Sequence, residues 1–323
     1  MTLDPRLRPE IAKLLDDAAA AALPGIADLD VAGARRQMRE ASALWWGPVG
    51  NLGSVADRTI VVSDRGGDRK LPIRTYRPND GVLPVVVFFH GGGWVVGDVD
   101  THDGPCRALA ELARCVVVSV GYRLAPEHRF PAAPWDCIAA TSWVFTHADE
   151  LGIDASRLSV VGDSAGANLA AVVAQQRPVD EPAIRSQTLI YPVTDLTIHH
   201  HSLTYPEGYL LGVAELVWYY DHYIDDADRH DPLVSPMLAA SLAGLPPAHV
   251  ITCEFDPLDP QGADYARRLA AAGVEVVHDR FDGMIHGFAG MNAVTAATGE
   301  LWQSVADHLT QFWLDPVVHS GEV

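Results

Sequence analysis

The sequence GDSAG at residues 162–166 contains the residue types that nucleophilic catalysis needs. It lies between the apolar run LSVV and the segment ANLAAVVAQQ, which has the pattern of a helix. A glycine on each side lets a strand turn sharply into a helix, so that the hydroxyl of Ser164 projects above the edge of a sheet. The positive N-terminus of the following helix would lie beside that hydroxyl. The motif therefore predicts a nucleophile at Ser164.

A second glycine-rich motif, HGGGW at residues 90–94, directly follows the apolar run PVVVFF. Successive glycines leave backbone amides unobstructed by side chains, so the amides of Gly92 and Gly93 can point at an oxyanion. Together with the amide of Ala165, they form the donor set that acyl transfer requires. A phosphate-binding loop is the alternative interpretation, but no Lys-Ser or Lys-Thr pair follows the glycines. We therefore predict an oxyanion hole at Gly92, Gly93 and Ala165.

Five segments, taken in their order along the chain, resemble the hormone-sensitive-lipase-like (bacterial family IV) esterases of the GDSAG type. They are HGGGW (90–94), GYRLAPEHRFPAA (121–133), GDSAGANLA (162–170), EFDPL (254–258) and MIHGF (284–288). The resemblance implies an α/β-hydrolase fold, in which a mostly parallel central sheet is flanked by helices and carries a helical cap. It also implies hydrolysis of carboxylic esters without a cofactor.

The resemblance favours one of the 14 histidines as the general base. His286 lies in the loop GMIHG after the predicted strand 274–281, where glycines can position its side chain. The orienting acid should lie in the turn after a late strand, and Asp256 follows the run AHVITCEF. Ser164, Asp256 and His286 then have the chain order of the triad in this fold. We predict that these three residues are catalytic.

The loop that holds the acid departs from the family pattern. The family usually continues Asp-Pro-Leu-Arg-Asp-Glu, whereas residues 256–261 read DPLDPQ. The departure removes a local ion pair, which leaves the rigidity of the loop and the role of Asp259 open. Glu254 and Asp282 are alternative acids. Asp163 and the segment 127–129 are interpreted as supports of the site and not as reacting groups.

Composition and charge narrow the classes of partner. Of the 323 residues, 48% are hydrophobic and 20% charged, which excludes global disorder. The net charge of −19 disfavours nucleic acid as a partner. The apolar runs are far shorter than the ~18 residues of a membrane span, so no membrane insertion is expected. The histidines 199–201 have no further ligand at zinc spacing, so no metal site is predicted.

The four cysteines show no C-x-x-C spacing, which predicts buried free thiols in a reducing compartment. The first residues lack the pattern of a secretory leader, because Asp16 and Asp17 interrupt the apolar segment. We therefore expect a cytoplasmic protein.

Apolar runs that alternate with helix-length segments predict the elements that position these motifs. Uncharged strand cores followed by helices are typical of a parallel sheet covered on both faces. The predicted strands are 84–90, 115–120, 157–163, 183–192, 248–255 and 274–281, after a hairpin at 58–64 and 71–78. The predicted helices are 102–114, 132–150, 165–176, 260–272 and 294–313, after N-terminal helices at 10–23 and 30–46.

The chain divides into three parts by pattern. Residues 1–50 are expected to form N-terminal cap helices, and residues 51–192 with 236–323 the α/β-hydrolase catalytic domain. Residues 193–235 are rich in aromatic side chains and lack a clear strand, which indicates a cap insertion. The alternative for this segment is an ordinary helix pair on the edge of the sheet.

Aromatic and apolar side chains beside these motifs would line a covered pocket. The predicted substrate contacts are Trp94, Tyr209, Leu210 and Trp218, with Tyr205, Leu211, Trp45 and Trp46 as further candidates. A covered apolar pocket suits short- to medium-chain esters, so the expected partner is a small-molecule ester.

The same catalytic residues are compatible with other functions, and the resemblance implies an oligomeric state. An amidase or a lactonase would use the same triad, and a ligand-binding module with this fold but without turnover is a third possibility. The resemblance also implies a homodimer, in which the late strand near 274–281 pairs across a two-fold axis.

Overall fold

The strands form one sheet in a computed structural model that describes residues 3–64, 67–177, 182–197, 209–225 and 228–314. The strands are β1 (Ser54–Asp64), β2 (Gly67–Arg77), β3 (Leu83–Phe89), β4 (Val116–Val120), β5 (Ile153–Asp163), β6 (Gln187–Ile190), β7 (Ala248–Phe255) and β8 (Val276–Ile285). Their order across the sheet is β1-β2-β4-β3-β5-β6-β7-β8. β2 pairs antiparallel with β1 and β4, and all other neighbours are parallel. The predicted mostly parallel sheet is confirmed.

Helices cover both faces of this sheet. The helices of the described residues are α1 (Pro9–Ala20), α2 (Val31–Trp46), α3 (Asp103–Leu112), α4 (Ala132–Thr146), α5 (Ala148–Leu151), α6 (Ala165–Gln176), α7 (Val213–Tyr223), α8 (Asp259–Ala271) and α9 (Ala297–Leu314). Apolar residues of α4, α6 and α8 belong to one core cluster, and those of α1, α3 and α9 belong to the other. The predicted α/β architecture with flanking helices is therefore present.

The central strand β3 has no charged residue, because both of its faces are buried. Val85, Val87 and Phe89 pack in the first cluster, whereas Val86 and Phe88 pack in the second. All five side chains are fully buried. Alternate residues of a strand point to opposite faces, so a strand covered on both sides must be apolar throughout.

Most predicted element bounds agree with the structure to within a few residues. β7 and α6 have the predicted bounds, 248–255 and 165–176. β8 runs on to Ile285, beyond the predicted end at residue 281, because its pairing with β7 resumes at Phe255 after a register shift. The predicted helix 132–150 is divided at His147, whose backbone leaves the helical region at φ −114° and ψ 27°.

The segment 193–235 contributes one α-helix and no strand in its described part. This helix, α7, packs against the short turn Ile26–Asp28 that joins α1 to α2. The predicted pocket residue Tyr205 and the histidines 199–201 lie outside the described residues. The aromatic segment and the N-terminal helices thus meet on one side of the molecule.

The segment 127–129, between β4 and α4, is hydrogen-bonded to two of these helices. Arg35 of α2 donates two hydrogen bonds to Glu127, of 2.8 and 2.7 Å. Arg129 donates to the carbonyl of Asp221 in α7 over 2.9 Å. These two residues hold α2 and α7, and the interpretation of the segment as a support of the site stays a prediction.

All four cysteines, Cys106, Cys115, Cys137 and Cys253, are buried free thiols, as predicted. Burial raises the pKa of each thiol, since a thiolate loses its hydration in an apolar surrounding. Among the described residues, no helix combines the length and apolar character that crossing a bilayer requires.

Candidate active site

The turn between β5 and α6 holds Ser164 in a strained backbone conformation, at φ 55° and ψ −119°. A methyl group on Gly162 would overlap the backbone of Gly166, and one on Gly166 would overlap the carbonyl of Phe89. Both positions must therefore be glycine for the strand and the helix to approach this closely. The backbone amide of Ser164 donates to the carbonyl of Ile190 over 2.8 Å, which fixes the turn. Ser164 is only partly buried.

Three side chains from distant parts of the chain form a continuous hydrogen-bonded series at this turn. Nε2 of His286 lies 2.9 Å from Oγ of Ser164, and its Nδ1 lies 2.7 Å from Oδ2 of Asp256. A carboxylate accepts the Nδ1 proton, which leaves the Nε2 lone pair facing the serine hydroxyl. This arrangement can remove the hydroxyl proton as the oxygen attacks a carbonyl carbon.

Asp256 and His286 meet because they follow neighbouring parallel strands. Asp256 comes directly after β7, and His286 directly after β8. Asp256 is fully buried, and it also accepts hydrogen bonds from the amide of Leu258 (2.8 Å) and the thiol of Cys253 (3.3 Å). These donors hold the carboxylate toward the imidazole. Tyr191 packs beside the imidazole, with ring centroids 4.4 Å apart.

The alternative acids have other partners. Glu254 accepts hydrogen bonds from Arg6 (2.6 Å) and from the amide of Gly283 (2.9 Å). Asp282 is exposed and pairs with Arg280 over 2.8 Å. The nitrogen Nδ1 of His286 bonds to Asp256. The geometry therefore favours Asp256 as the acid.

Arg280 of β8 forms an ion pair with the loop that follows the acid. Its Nε lies 3.1 Å from Asp259, the first residue of α8. The ion pair thus comes from β8 and not from the loop itself. The departure from the family pattern leaves the role of Asp259 open in the sequence, and its partner in the structure lies 21 positions away.

The glycine loop after β3 is tied to the nucleophile turn by Asp163. Its Oδ1 accepts a hydrogen bond from the amide of Gly91 (2.8 Å) and lies 3.2 Å from Nε2 of His102. Burial disfavours the ionised carboxylate, but His102 and the Gly91 amide outweigh this and lower the pKa of Asp163. Asp163 therefore links the glycine loop to the nucleophile turn, and its interpretation as a support of the site stays a prediction.

Gly92 and Gly93 have positive φ angles of 114° and 56°. No acceptor within the described ranges takes their amide hydrogens. Ala165 is the first residue of α6, where amides also have no partner within the helix. These three amides are therefore available to a developing oxyanion, although their catalytic role stays a prediction.

His90 organises the start of this loop. Its Nδ1 lies 2.8 Å from the carbonyl of Gly91, and its ring stacks on Tyr122 at 4.2 Å between centroids. The hydroxyl of Tyr122 donates to the carbonyl of His90 over 2.6 Å. Burial lowers the pKa of His90 to about 4, and the neighbouring His102 adds to this effect.

This buried imidazole should make the fold sensitive to mild acid. As the pH falls, His90 takes up a proton in the unfolded chain before it does so in the folded one. The contribution of the neutral imidazole to stability is therefore full above about pH 6.5 and is lost as the pH falls toward 4. The depressed pKa corresponds to about 3 kcal/mol of lost unfolding free energy across this range. Urea unfolding measured between pH 7 and pH 4 should show a smaller loss of unfolding free energy in His90→Gln than in the wild type. Equal pH dependence in the two proteins would contradict a neutral buried imidazole.

The predicted substrate contacts differ in exposure. Trp94 is fully buried and stacks on Tyr223, with centroids 4.2 Å apart. Tyr209 is buried, and its hydroxyl accepts a hydrogen bond from the amide of Asp4 over 3.2 Å. Leu210 and Trp218 are half-buried. Contact of these four residues with a substrate remains a prediction.

Tyr219 is a residue that sequence analysis did not assign to the site. A methyl group on Gly93 would overlap its ring, so Tyr219 lies directly against the predicted oxyanion loop. The buried residues Leu216, Tyr220 and Tyr223 define the inner face of α7. Tyr219 lies three positions after Leu216, and this helical spacing is the signal that could have indicated it.

Proteins that resemble this chain in sequence and fold include hydrolases of carboxylic esters. A model of the alpha/beta hydrolase fold family matches residues 86–290. The ethyl acetate hydrolase of Pseudomonas putida is 41% identical over 286 residues, covering 86% of this chain and 89% of that protein. The carboxylic ester hydrolase LipN of Mycobacterium tuberculosis is 39% identical, and the match covers 96% of this chain and 84% of LipN.

Solved structures of esterases have the same fold as this chain over nearly its whole length. A thermostable esterase from Pseudomonas putida superposes with a TM-score of 0.91 at 34% identity, covering 98% of this chain and all of the other (100%). The esterase of the archaeon Pyrobaculum calidifontis gives a TM-score of 0.86 at 40% identity, and the match covers 94% of this chain and 98% of the archaeal esterase. The chain belongs to the α/β-hydrolase fold family, in its hormone-sensitive-lipase-like group of esterases.

Proposed function

We propose that this protein is a serine carboxylesterase that hydrolyses short- to medium-chain esters through an acyl-enzyme intermediate. The observation that carries the proposal is the hydrogen-bonded series Ser164–His286–Asp256, with distances of 2.9 and 2.7 Å. The names of its relatives support it, since they include ethyl acetate hydrolase, carboxylesterase and arylesterase.

The proposed reaction has two half-reactions. His286 takes the proton of Ser164 as the serine oxygen attacks the ester carbonyl, and the oxyanion accepts hydrogen bonds from the amides of Gly92, Gly93 and Ala165. His286 then protonates the departing alcohol, which leaves an acyl-serine. Water attacks this acyl group with His286 again as the base, and the acid is released. Asp256 stabilises the imidazolium in both steps.

We assign the cap to residues 1–50 and 193–235, and the catalytic domain to 51–192 and 236–323. The contact between α7 and the turn Ile26–Asp28 supports a common cap, as does the position of Tyr219 against Gly93. Rings of α7 above the glycine loop would restrict the length of acyl chain that reaches Ser164.

A panel of p-nitrophenyl esters from acetate to palmitate, with a p-nitroanilide control, tests this proposal. We expect kcat/KM to peak between acetate and octanoate and to fall about 100-fold or more at palmitate, because a covered pocket excludes a long chain. The anilide should react far more slowly than the matching ester. A maximum at palmitate would contradict the covered pocket, and faster anilide cleavage would favour an amidase.

We also propose a homodimer and a cytoplasmic location. β8 lies at one end of the sheet, so its free edge supports pairing with a second copy. Light scattering of the purified protein would measure the mass in solution. The four buried free thiols support a reducing compartment. A small-molecule ester is the expected partner in either oligomeric state.

A further inference from the structure

Two histidines and an aspartate form a cluster between β7, β8 and α9. His249 is the second residue of β7, Asp279 lies on β8 and His308 lies on α9. Nε2 of His249 is 3.0 Å from Oδ2 of Asp279. One ligand atom from each of the three residues lies within 4.8 Å of the others. Asp256 follows the opposite end of β7. An extended strand rises about 3.3 Å per residue, so His249 and Asp256 are about 23 Å apart and the cluster is separate from the triad.

The strand register and the covering helix bring these residues together. His249 and Ile251 lie on the same face of β7, and Ile251 is paired with Asp279 on β8. Ile251 and the buried residues of α9 belong to the same core cluster, so α9 covers this face. The rings of His249 and His308 approach to 4.1 Å between centroids.

The hydrogen bonds of His308 leave one ring nitrogen available. Its Nδ1 lies 2.8 Å from the carbonyl of Ser304. A carbonyl can only accept, so Nδ1 carries a proton, and in the neutral imidazole Nε2 has a lone pair for a metal ion. Metal-binding histidines typically have this arrangement, with the second nitrogen donating to a backbone carbonyl.

The other two residues are also held in place. The hydroxyl of Ser304 donates to Oδ2 of Asp279 over 3.0 Å, which orients the carboxylate. His249 is fully buried. Its Nδ1 has no hydrogen-bond partner in the part of the chain that the structure describes, so the bond to Asp279 is the one polar contact shown for this ring.

We propose that His249, Asp279 and His308 bind a divalent transition-metal ion of the zinc class, which ties α9 to the β7–β8 edge of the sheet. Two imidazoles and one carboxylate are a ligand set that Zn²⁺ accepts, with water in the fourth position. Ca²⁺ and Mg²⁺ prefer oxygen ligands and fit this set poorly.

The spacing of the ligand atoms suits this ion. Tetrahedral ligands at about 2.0–2.1 Å from Zn²⁺ lie about 3.3 Å apart. Nε2 of His249 and Oδ2 of Asp279 are 3.0 Å apart, which nearly matches this spacing. The proton that joins them in the metal-free protein transfers to Nδ1 when Nε2 binds the ion. The widest separation in the cluster is at most 4.8 Å, so binding requires a movement of about 1.5 Å or less. The net charge of −19 further favours a cation.

Isothermal titration of the full-length, tag-free protein with ZnCl₂, after treatment with EDTA, tests the proposal. We expect one Zn²⁺ per chain, and a rise in Tm of about 5 °C when free Zn²⁺ is about 100 times its Kd. His308→Ala and Asp279→Asn should each weaken Zn²⁺ binding about 100-fold and remove the rise in Tm. Two variants are used so that a folding defect in one leaves the other informative.

His147→Ala is the matched control. Its Nδ1 also bonds to the carbonyl four residues before it, that of Trp143, over 2.9 Å. His147 belongs to no cluster of possible metal ligands within the described ranges, so its variant should bind Zn²⁺ as the wild type does.

Two results would overturn the proposal. The absence of saturable binding would mean that the cluster is a hydrogen-bonded contact between α9 and the sheet. Binding that persists in both His308→Ala and Asp279→Asn would place the ion elsewhere, for example at the histidines 199–201. Ester hydrolysis should be the same before and after EDTA treatment, so this test is independent of the proposed function.

Discussion

Replacing Ser164 by alanine is expected to lower kcat for p-nitrophenyl butyrate by about 10⁵- to 10⁶-fold. The substitution removes the oxygen that lies 2.9 Å from Nε2 of His286, and therefore the atom that would form the acyl-enzyme. A residual rate above that in water should remain, because the glycine amides still stabilise an oxyanion when water attacks. Steady-state kinetics on highly purified protein would measure the loss.

The size of the effect should not grow when His286 is also replaced. A nucleophile and its base act as one unit, so Ser164→Ala, His286→Ala and the double variant should lose similar activity. Ser142→Ala, a change of the same type on α4, is the control and should keep wild-type kcat. Wild-type turnover by pure Ser164→Ala would rule out the assigned nucleophile, and losses that multiply in the double variant would contradict a coupled pair.

Asp256→Asn is expected to lower kcat by about 10⁴-fold while the protein stays folded. The carboxylate accepts the proton of Nδ1 over 2.7 Å and so keeps Nε2 free to act as a base. An asparagine can turn its NH₂ group toward Nδ1, which places the imidazole proton on Nε2. In that tautomer, His286 cannot accept the proton of Ser164. Measurements of kcat at pH 8 together with the unfolding free energy would separate this effect from a loss of structure.

Asp259→Asn is the matched control, since it makes the same chemical change in the same loop. It weakens the ion pair with Arg280, which spans 3.1 Å. Arg280 is partly exposed, and such pairs contribute about 1 kcal/mol or less to stability. We expect a change in kcat of about threefold or less. Similar losses in the two variants would mean that the loop as a whole is disrupted, and that Asp256 has no special role.

Much of the site could be predicted because short motifs determine local backbone conformation. The overlaps that a methyl group would meet at Gly162 and Gly166 explain why the motif GDSAG specifies a tight turn. The triad also required one acidic and one basic residue at the ends of late strands. Parallel neighbouring strands end at the same edge of a sheet, so Asp256 and His286 meet once β7 and β8 pair.

Other parts of the site could not be predicted from local patterns. The contact of Tyr219 with Gly93 joins residues from α7 and the loop after β3, and it depends on how α7 is rotated above the sheet. Arg280 reaches Asp259 from a different strand. Trp94 is predicted in the pocket lining because it lies beside the glycines, whereas its packing on Tyr223 depends on the docked helix α7.

The amino-acid sequence by itself determined the elements of this protein, the two glycine turns and the residue types of the triad. These follow from interactions within a few residues, where the patterns of apolar side chains and glycines limit the backbone to few conformations. The tertiary structure alone decided which side chains become neighbours, as for His249 with His308 and for Asp163 with Gly91. Such contacts join residues that are far apart in the chain, so they exist only when strand register and helix docking are set together.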